Sequence, residues 1–247
     1  MQQLLIDGRT KEEEAIDFLC RHEPPEGYFL GFSGGKDSTV IDHIAIMAGV
    51  KYQRFYERTG IDPPEIVKHI KRHFPDTVFL KPKEPFFKLL VKKGFPTKTK
   101  RWCCEHIKHS LGNNIPLKHR VLGIRAEESP KRRKYGRVHN FKPSHVGYFP
   151  IFDWLEWEVW EHIDRHGLPY CSLYDEGFSR LGCVVCPFIC RNDRRAVDAH
   201  KLRWPKIYRA FENAMYELYE KKMHHRHRII GKAQLFEEFM ENWYRGK

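Results

Sequence analysis

No apolar run in the 247-residue chain approaches the roughly 20 residues that span a bilayer, so neither a transmembrane helix nor a membrane partner is expected. No internal repeat or low-complexity segment is visible, which sets repeat architectures aside. A Walker A loop is also missing. That pattern needs a glycine five residues before its Gly-Lys pair and Ser or Thr after it, and Leu30 and Asp37 occupy those positions. Acidic residues are in deficit, with 32 Asp and Glu against 44 Lys and Arg, a formal net charge of +12. Such a field attracts polyanions, whether nucleic acid or free nucleotides. The cysteines number seven, an odd count, and no apolar signal segment precedes the first expected helix. A secreted disulfide framework is therefore not expected, and a cytoplasmic location is.

What the chain does contain begins with Ser33-Gly34-Gly35-Lys36-Asp37-Ser38, placed directly after the apolar run Tyr28-Phe29-Leu30-Gly31-Phe32. This is a strand feeding a glycine-rich turn that opens a helix, the arrangement in which backbone N–H groups and a helix N-terminus converge on phosphate. Gly34 and Gly35 permit a tight turn and close approach of a ligand. Lys36 supplies a point charge, Ser33 and Ser38 supply hydroxyls, and Asp37 can orient the loop or help to hold Mg²⁺. Gly49 is the expected C-cap of the helix.

The cysteines are grouped. Cys103 and Cys104 are adjacent, and Cys183 and Cys186 form a C-x-x-C pair. Two such pairs can offer four thiolates to one centre, which suits either zinc or a [4Fe–4S] cluster.

Ser33–Ser38 resembles the PP-loop of the adenine nucleotide alpha-hydrolase superfamily, whose members split ATP between its α and β phosphates. The Cys-Cys plus C-x-x-C pattern is similar to the iron–sulfur signature of the adenosine phosphosulfate reductases. The likeness extends to Arg101-Trp102-Cys103-Cys104 with Lys108, and to Gly123-Ile124-Arg125-Ala126-Glu127-Glu128-Ser129. It includes Phe149-Pro150-Ile151-Phe152-Asp153-Trp154 with Val159-Trp160, and Gly177 to Cys183. It covers about residues 12–190. Two departures stand out. The reductases carry a redox cysteine near their C-terminus, whereas no cysteine follows Cys190 here. Arg58 precedes Thr59-Gly60 where family members often have Asp.

The resemblance implies a PP-loop ATP pyrophosphatase that adenylylates an oxyanion acceptor for sulfur incorporation, closest in type to the enzymes of DNA phosphorothioation. Alternatives are a sulfonucleotide reductase, a tRNA thiolation enzyme, and a non-catalytic metal-stapled nucleic-acid-binding module. Lys36, Asp37 and Arg125 are then the expected catalytic residues, with Arg132 as a possible helper. Ser33, Gly34, Gly35, Lys36, Asp37, Ser38, Gly123 and Arg125 would bind ATP and Mg²⁺. Cys103, Cys104, Cys183 and Cys186 would ligate a [4Fe–4S] cluster, zinc being the alternative. Cys171 or Cys190 are candidates for sulfur relay. Implied partners are nucleic acid, DNA ahead of tRNA, and a cysteine desulfurase or other sulfur donor.

Basic residues cluster at Lys92 to Arg101, Lys131 to Arg137, Arg191 to Arg203, and Lys221 to Arg228. The first three border the expected site segments. His224, His225 and His227 read as exposed tail residues. The fold class expected is α/β, a doubly wound parallel sheet with a C-terminal helical extension, divided into a PP-loop domain at 1–190 and a basic helical segment at 191–247. Expected elements include a first helix capped by Thr10-Lys11-Glu12-Glu13, strands at 51–56, 77–80 and 120–124, and a helix from Asp62-Pro63. Further helices are expected at 84–93 and 104–111, and after a capping box at Asp153 to Glu156. Trp157, Trp160 and Ile163 fall at helical spacing and are assigned to the core. Ser33–Ser38 and Arg125–Ser129 both lie at strand ends, which predicts one shared site.

Overall fold

Strands and helices alternate through the first part of the chain because short β-rich runs are separated by amphipathic stretches with clear caps. The computed structural model describes residues 8–108, 110–141, 145–189, 194–229 and 235–244, with the backbone alone for 194 and 223–229. Cys190, Arg191 and the side chains of His224, His225 and His227 lie outside the described residues.

Contacts divide the chain into two compact units. The first comprises residues up to Glu57, Pro64–Leu80 and Gly112–Leu181. The second comprises Arg58–Pro63, Lys81–Leu111 and Gly182 onward. The division therefore does not fall at 190/191. The second unit gathers Arg58–Pro63 and the cysteine segments around the C-terminal helices, since Val184 N donates to Ile61 O and the 86–93 helix packs on the 205–229 helix.

The first unit is built on six strands: β1 (Tyr28–Gly31), β2 (Tyr52–Glu57), β3 (Val78–Leu80), β4 (His119–Val121), β5 (Val138–Phe141) and β6 (His145–Tyr148). Their order is β3-β2-β1-β4-β6-β5, parallel throughout except for the antiparallel β5–β6 pair. The doubly wound expectation thus holds for a mixed, mostly parallel sheet. The edge pair β5–β6 has no counterpart in the sequence-based expectation. The helices are α1 (Lys11–Arg21), α2 (Lys36–Ala48), α3 (Pro64–His73), the short α5 (Pro130–Arg133) and α6 (Glu156–His166).

The chain runs from β1 outward to β2 and β3, then returns to β4 on the other side of β1. The direction of winding reverses between β1 and β4, and ligand crevices in such sheets form at that reversal, beyond the carboxyl ends of the strands. The segments at the two strand ends are Phe32–Gly35 and Leu122–Ser129.

Local chemistry accounts for most boundaries. Thr10 Oγ1 accepts from Glu13 N at 3.1 Å and Glu13 Oε2 accepts from Thr10 N at 2.8 Å, the expected capping box of α1. Gly49 closes α2 with φ +65°, a conformation that suits glycine. Two caps differ from expectation. Helix α3 starts at Pro64, because Asp62 turns back to accept from Thr59 N (2.8 Å), Gly60 N (3.2 Å) and Thr59 Oγ1 (2.8 Å). Helix α6 starts after Leu155, whose N–H donates to Glu158 Oε2 at 2.7 Å, so the box at Asp153 to Glu156 does not form. Trp157 is 51% exposed rather than core, whereas Trp154 and Ile163 are buried.

The second unit holds α4 (Phe86–Lys93), a π-helical turn Cys104–Lys108 in place of the regular helix expected at 104–111, α7 (Arg194–Arg203), α8 (Pro205–Ile229) and α9 (Phe236–Tyr244). Its core includes Phe86, Leu90, Trp102, Phe211, Met215 and Trp243. Among the described residues, no helix is long and apolar enough to cross a membrane.

Helix α2 is anchored to β2 by a buried ion pair. Arg54 Nη1 donates to both carboxylate oxygens of Asp42, at 2.9 and 3.0 Å, and Asp42 is 2% exposed. Removing one partner of such a pair strands the other charge. Asp42→Ala is expected to lower unfolding free energy by about 3–5 kcal/mol in urea denaturation; a loss below about 1 kcal/mol would show that α2 is held by other contacts.

Candidate functional site

The turn after β1 places a helix N-terminus in the winding-reversal crevice. Gly34 has φ +72°, and a Cβ there would meet Ile70 Cγ1 at 2.9 Å and Ile66 Cγ2 at 3.0 Å, so both conformation and space require glycine. Gly35 is the N-cap of α2 and makes no side-chain cap. The first N–H of α2, that of Lys36, is therefore met by no N-cap side chain, and the first-turn N–H groups lie at the positive end of the helix dipole. The hydroxyls brace the turn: Ser38 Oγ donates to Gly35 O at 2.8 Å and Ser33 Oγ to Ser38 Oγ at 3.2 Å.

Two cations are buried at this point. Lys36 is 5% exposed, and its Nζ lies 3.2 Å from Glu156 Oε1, 3.3 Å from Ser179 O and 3.8 Å from Asp37 Oδ2. Arg125 is 3% exposed, donates from Nε to Asp37 Oδ1 at 2.6 Å, and pairs with Glu127. The shared site expected for the two strand ends thus forms: Asp37 links the PP-loop to Arg125. Gly123 serves this closure, because a Cβ there would press on the backbone of Asp37 at 3.0–3.1 Å. Arg132 instead pairs with Glu128.

The Mg²⁺ expected at Asp37 does not fit this arrangement. One carboxylate oxygen is engaged by the Arg125 guanidinium, and the other faces Lys36. Asp37 here fixes Arg125, and a magnesium ion brought with a triphosphate counts as part of the substrate.

Sequence reasoning missed Tyr174. Its hydroxyl accepts the Lys36 N–H at 2.9 Å and would lie 3.2 Å from a Cβ at Gly35, so it stands over the loop. Burial raises its pKa above the ordinary phenol range, which keeps it neutral. Nothing in Ser172-Leu173-Tyr174 marks it in the sequence, since its neighbours in space are 138 residues away along the chain.

In the second unit, Cys103, Cys104, Cys183 and Cys186 line one pocket with Thr59, Ile61, Phe86, Ile107, Lys108, Val185 and Pro187. Asp62 holds the Thr59-Gly60 turn. Cys183 Sγ lies 3.6 Å from Thr59 Oγ1. Positive charge borders the thiols, with Arg101 Nη2 at 3.6 Å from Cys104 Sγ and Lys108 near Cys183. Burial pushes the Cys183 thiol up to about 12, with Lys108 the largest influence in the opposite direction. The Cys103 thiol is raised further, first by its hydrogen bond with Cys104, then by burial. Four convergent thiols in a mainly apolar pocket, where lone thiolates are disfavoured, fit a cationic metal centre that would stabilise them together. Cys171 is 1% exposed and its thiol is raised by burial, so it is a small core side chain in the first unit.

The thiolate is the form that alkylates, so a raised pKa slows the reaction at a given pH. In the reduced, metal-free chain at pH 8, exposed Cys20 should react with iodoacetamide at least ~10-fold faster than Cys183, with the lag shrinking as pH rises. Equal rates in peptide-resolved mass spectrometry would contradict the raised Cys183 thiol.

A family model described as the phosphoadenosine phosphosulfate reductase domain matches residues 27–188. An uncharacterized protein of Methanocaldococcus jannaschii is 30% identical over 229 residues, covering 85% of this chain and 46% of that protein. An adenosine 5'-phosphosulfate reductase of Staphylococcus haemolyticus is 29% identical over 147 residues, covering 53% of this chain and 58% of that protein. The chain spans less than half the length of the first curated relatives it matches. Among solved structures, a phosphoadenylyl-sulfate reductase from Candida auris in a phosphate complex shares the fold at TM-score 0.55 and 14% identity, covering 73% of this chain and 96% of that one. The Candida glabrata FMN adenylyltransferase, solved with FMN and the ATP analogue AMPCPP, does so at 0.51 and 16%, covering 70% and 63%. With its glycine turn, its Lys36–Asp37–Arg125 linkage and the matched span, the chain belongs to the phosphoadenosine phosphosulfate reductase domain family of the PP-loop superfamily.

Proposed function

We propose that the chain is an ATP pyrophosphatase that adenylylates an oxyanion acceptor on nucleic acid, preparing that oxygen for replacement by sulfur. The observation that carries this reading is the pair of buried cations, Lys36 and Arg125, at the N-terminus of α2 in the winding-reversal crevice. Such a site favours a polyphosphate. The acceptor oxygen attacks the α-phosphorus, the bond from that phosphorus to the bridging oxygen breaks, and pyrophosphate departs with the electron pair. Lys36 and the loop amides stabilise the charge that gathers on the leaving group. Arg125, held by Asp37 and Glu127, orients the anionic acceptor. Tyr174 closes over the loop and excludes water from it.

The net charge of +12 and the basic clusters at 92–101 and 131–137 support a polyanionic acceptor, DNA ahead of tRNA. Sulfur would arrive from a partner such as a cysteine desulfurase. Cys103, Cys104, Cys183 and Cys186 would hold a [4Fe–4S] cluster. Zinc held by the same four thiolates is the alternative. With all four irons ligated by protein, the cluster would contribute local shape and charge.

The relative named as a sulfonucleotide reductase supports a second reading, reduction of a sulfonucleotide with sulfite release. Pyrophosphate release from ATP separates the two. The wild-type chain with its acceptor should release pyrophosphate, and Lys36→Ala should lower the rate roughly 100-fold or more. Background release from both, with thioredoxin-dependent sulfite formation from adenosine phosphosulfate, would replace the first reading by the second. Anaerobic purification should yield about four iron and four sulfide per chain, lost in Cys183→Ser; zinc in their place would overturn the cluster assignment.

A further inference from the structure

Away from the loop and the thiol pocket, the first unit gathers a second set of ligand-type side chains. His43 lies on α2, His162 and His166 lie one turn apart on α6, and Glu12 lies on α1. One ring nitrogen from each histidine falls within 4.8 Å of the others. His43 Nδ1 and His162 Nε2 are 3.0 Å apart. Glu12 Oε2 lies 2.8 Å from His162 Nδ1 and 2.9 Å from His166 Nε2.

A purely hydrogen-bonded cluster does not account for this packing. His162 is 1% exposed, yet its Nδ1 makes no hydrogen bond, although it faces the Glu12 carboxylate at 2.8 Å. A buried polar atom without a hydrogen bond is destabilising. Ring centroids 4.5–5.1 Å apart also place three imidazoles where added protons would repel. Imidazole ligates metals through the lone pair of its neutral form. The charged groups facing His43 and His162 are Glu12, Asp42 and Arg165.

We propose that His43, His162 and His166 bind a zinc ion, with Glu12 orienting His162 and His166 from behind. Two nitrogens on one tetrahedral zinc, at about 2.0–2.1 Å each, lie roughly 3.3 Å apart, close to the His43–His162 separation. Imidazole sets select zinc over magnesium or calcium. A carboxylate behind a ligating histidine is the usual outer partner. A groove lined by Lys11, Glu12, Trp154, Glu158, His162 and Arg165 opens beside the cluster and gives an ion access. The ion would bridge α2 and α6 directly and α1 through Glu12, clamping the helix whose other end carries the PP-loop.

The test compares zinc content in the wild-type chain, His43→Gln and His166→Gln after dialysis against zinc under reducing conditions. Any zinc on the cysteines is common to all three, so each histidine variant should hold about one ion fewer per chain. Anomalous diffraction at the zinc edge from wild-type crystals should show a peak among the three imidazoles. Absence of that peak overturns the proposal whatever the stoichiometry, as does equal zinc in all three proteins. Neither result depends on the ATP reading, which is tested by pyrophosphate release.

Discussion

The positive end of α2 governs the first unit. A helix N-terminus is an electrostatic liability when two cations are buried beside it. The chain answers with carboxylates: Asp37 and Glu127 hold Arg125, while Glu156 and Asp37 approach Lys36. These pairs differ in kind. Glu156 is half exposed and its contact with Lys36 is screened by water, whereas the Arg125 guanidinium is enclosed. The Asp37–Arg125 contact therefore fixes geometry, whereas the longer Lys36 contacts are weaker. The sheet makes this possible. Reversal of winding between β1 and β4 brings Gly123 against Asp37, so two segments far apart in sequence meet as a single wall.

The second unit solves a different problem with the same economy. Its thiols come from two segments, and a third, Thr59 to Asp62, supplies the turn against which Cys183 rests. Aromatic packing stiffens the surround: Trp102 stacks on Phe86 at 5.6 Å and donates from Nε1 to Gly94 O at 3.0 Å. Cys103 is thereby next to a residue locked in the core. Raised thiol pKa values follow from this enclosure, and a cationic centre is what such an enclosure best accommodates.

Much of this was legible in the residues. The glycine turn after an apolar strand, the Thr10–Glu13 box and the paired cysteines each announce themselves through local chemistry. What stayed hidden depends on partners distant in sequence. The strands Val138–Phe141 and His145–Tyr148 are short and polar, with no clean alternation, and they exist because β6 docks on β4. Asp62 reads as a helix cap, yet the Thr59-Gly60 amides compete for its carboxylate and win. Tyr174 and the histidine cluster carry no motif at all. His43 and His162 are 119 residues apart and meet only after α6 packs on α2.

The central claim is that the α2 N-terminus, Lys36 and Arg125 form one polyphosphate site. A crystal structure with α,β-methylene-ATP tests it most directly. The account predicts triphosphate density over the amides of residues 35–38, with the Lys36 ammonium turned toward it and Arg125 still held by Asp37. Nucleotide bound elsewhere on the chain, or a loop left empty at saturating analogue, would contradict it.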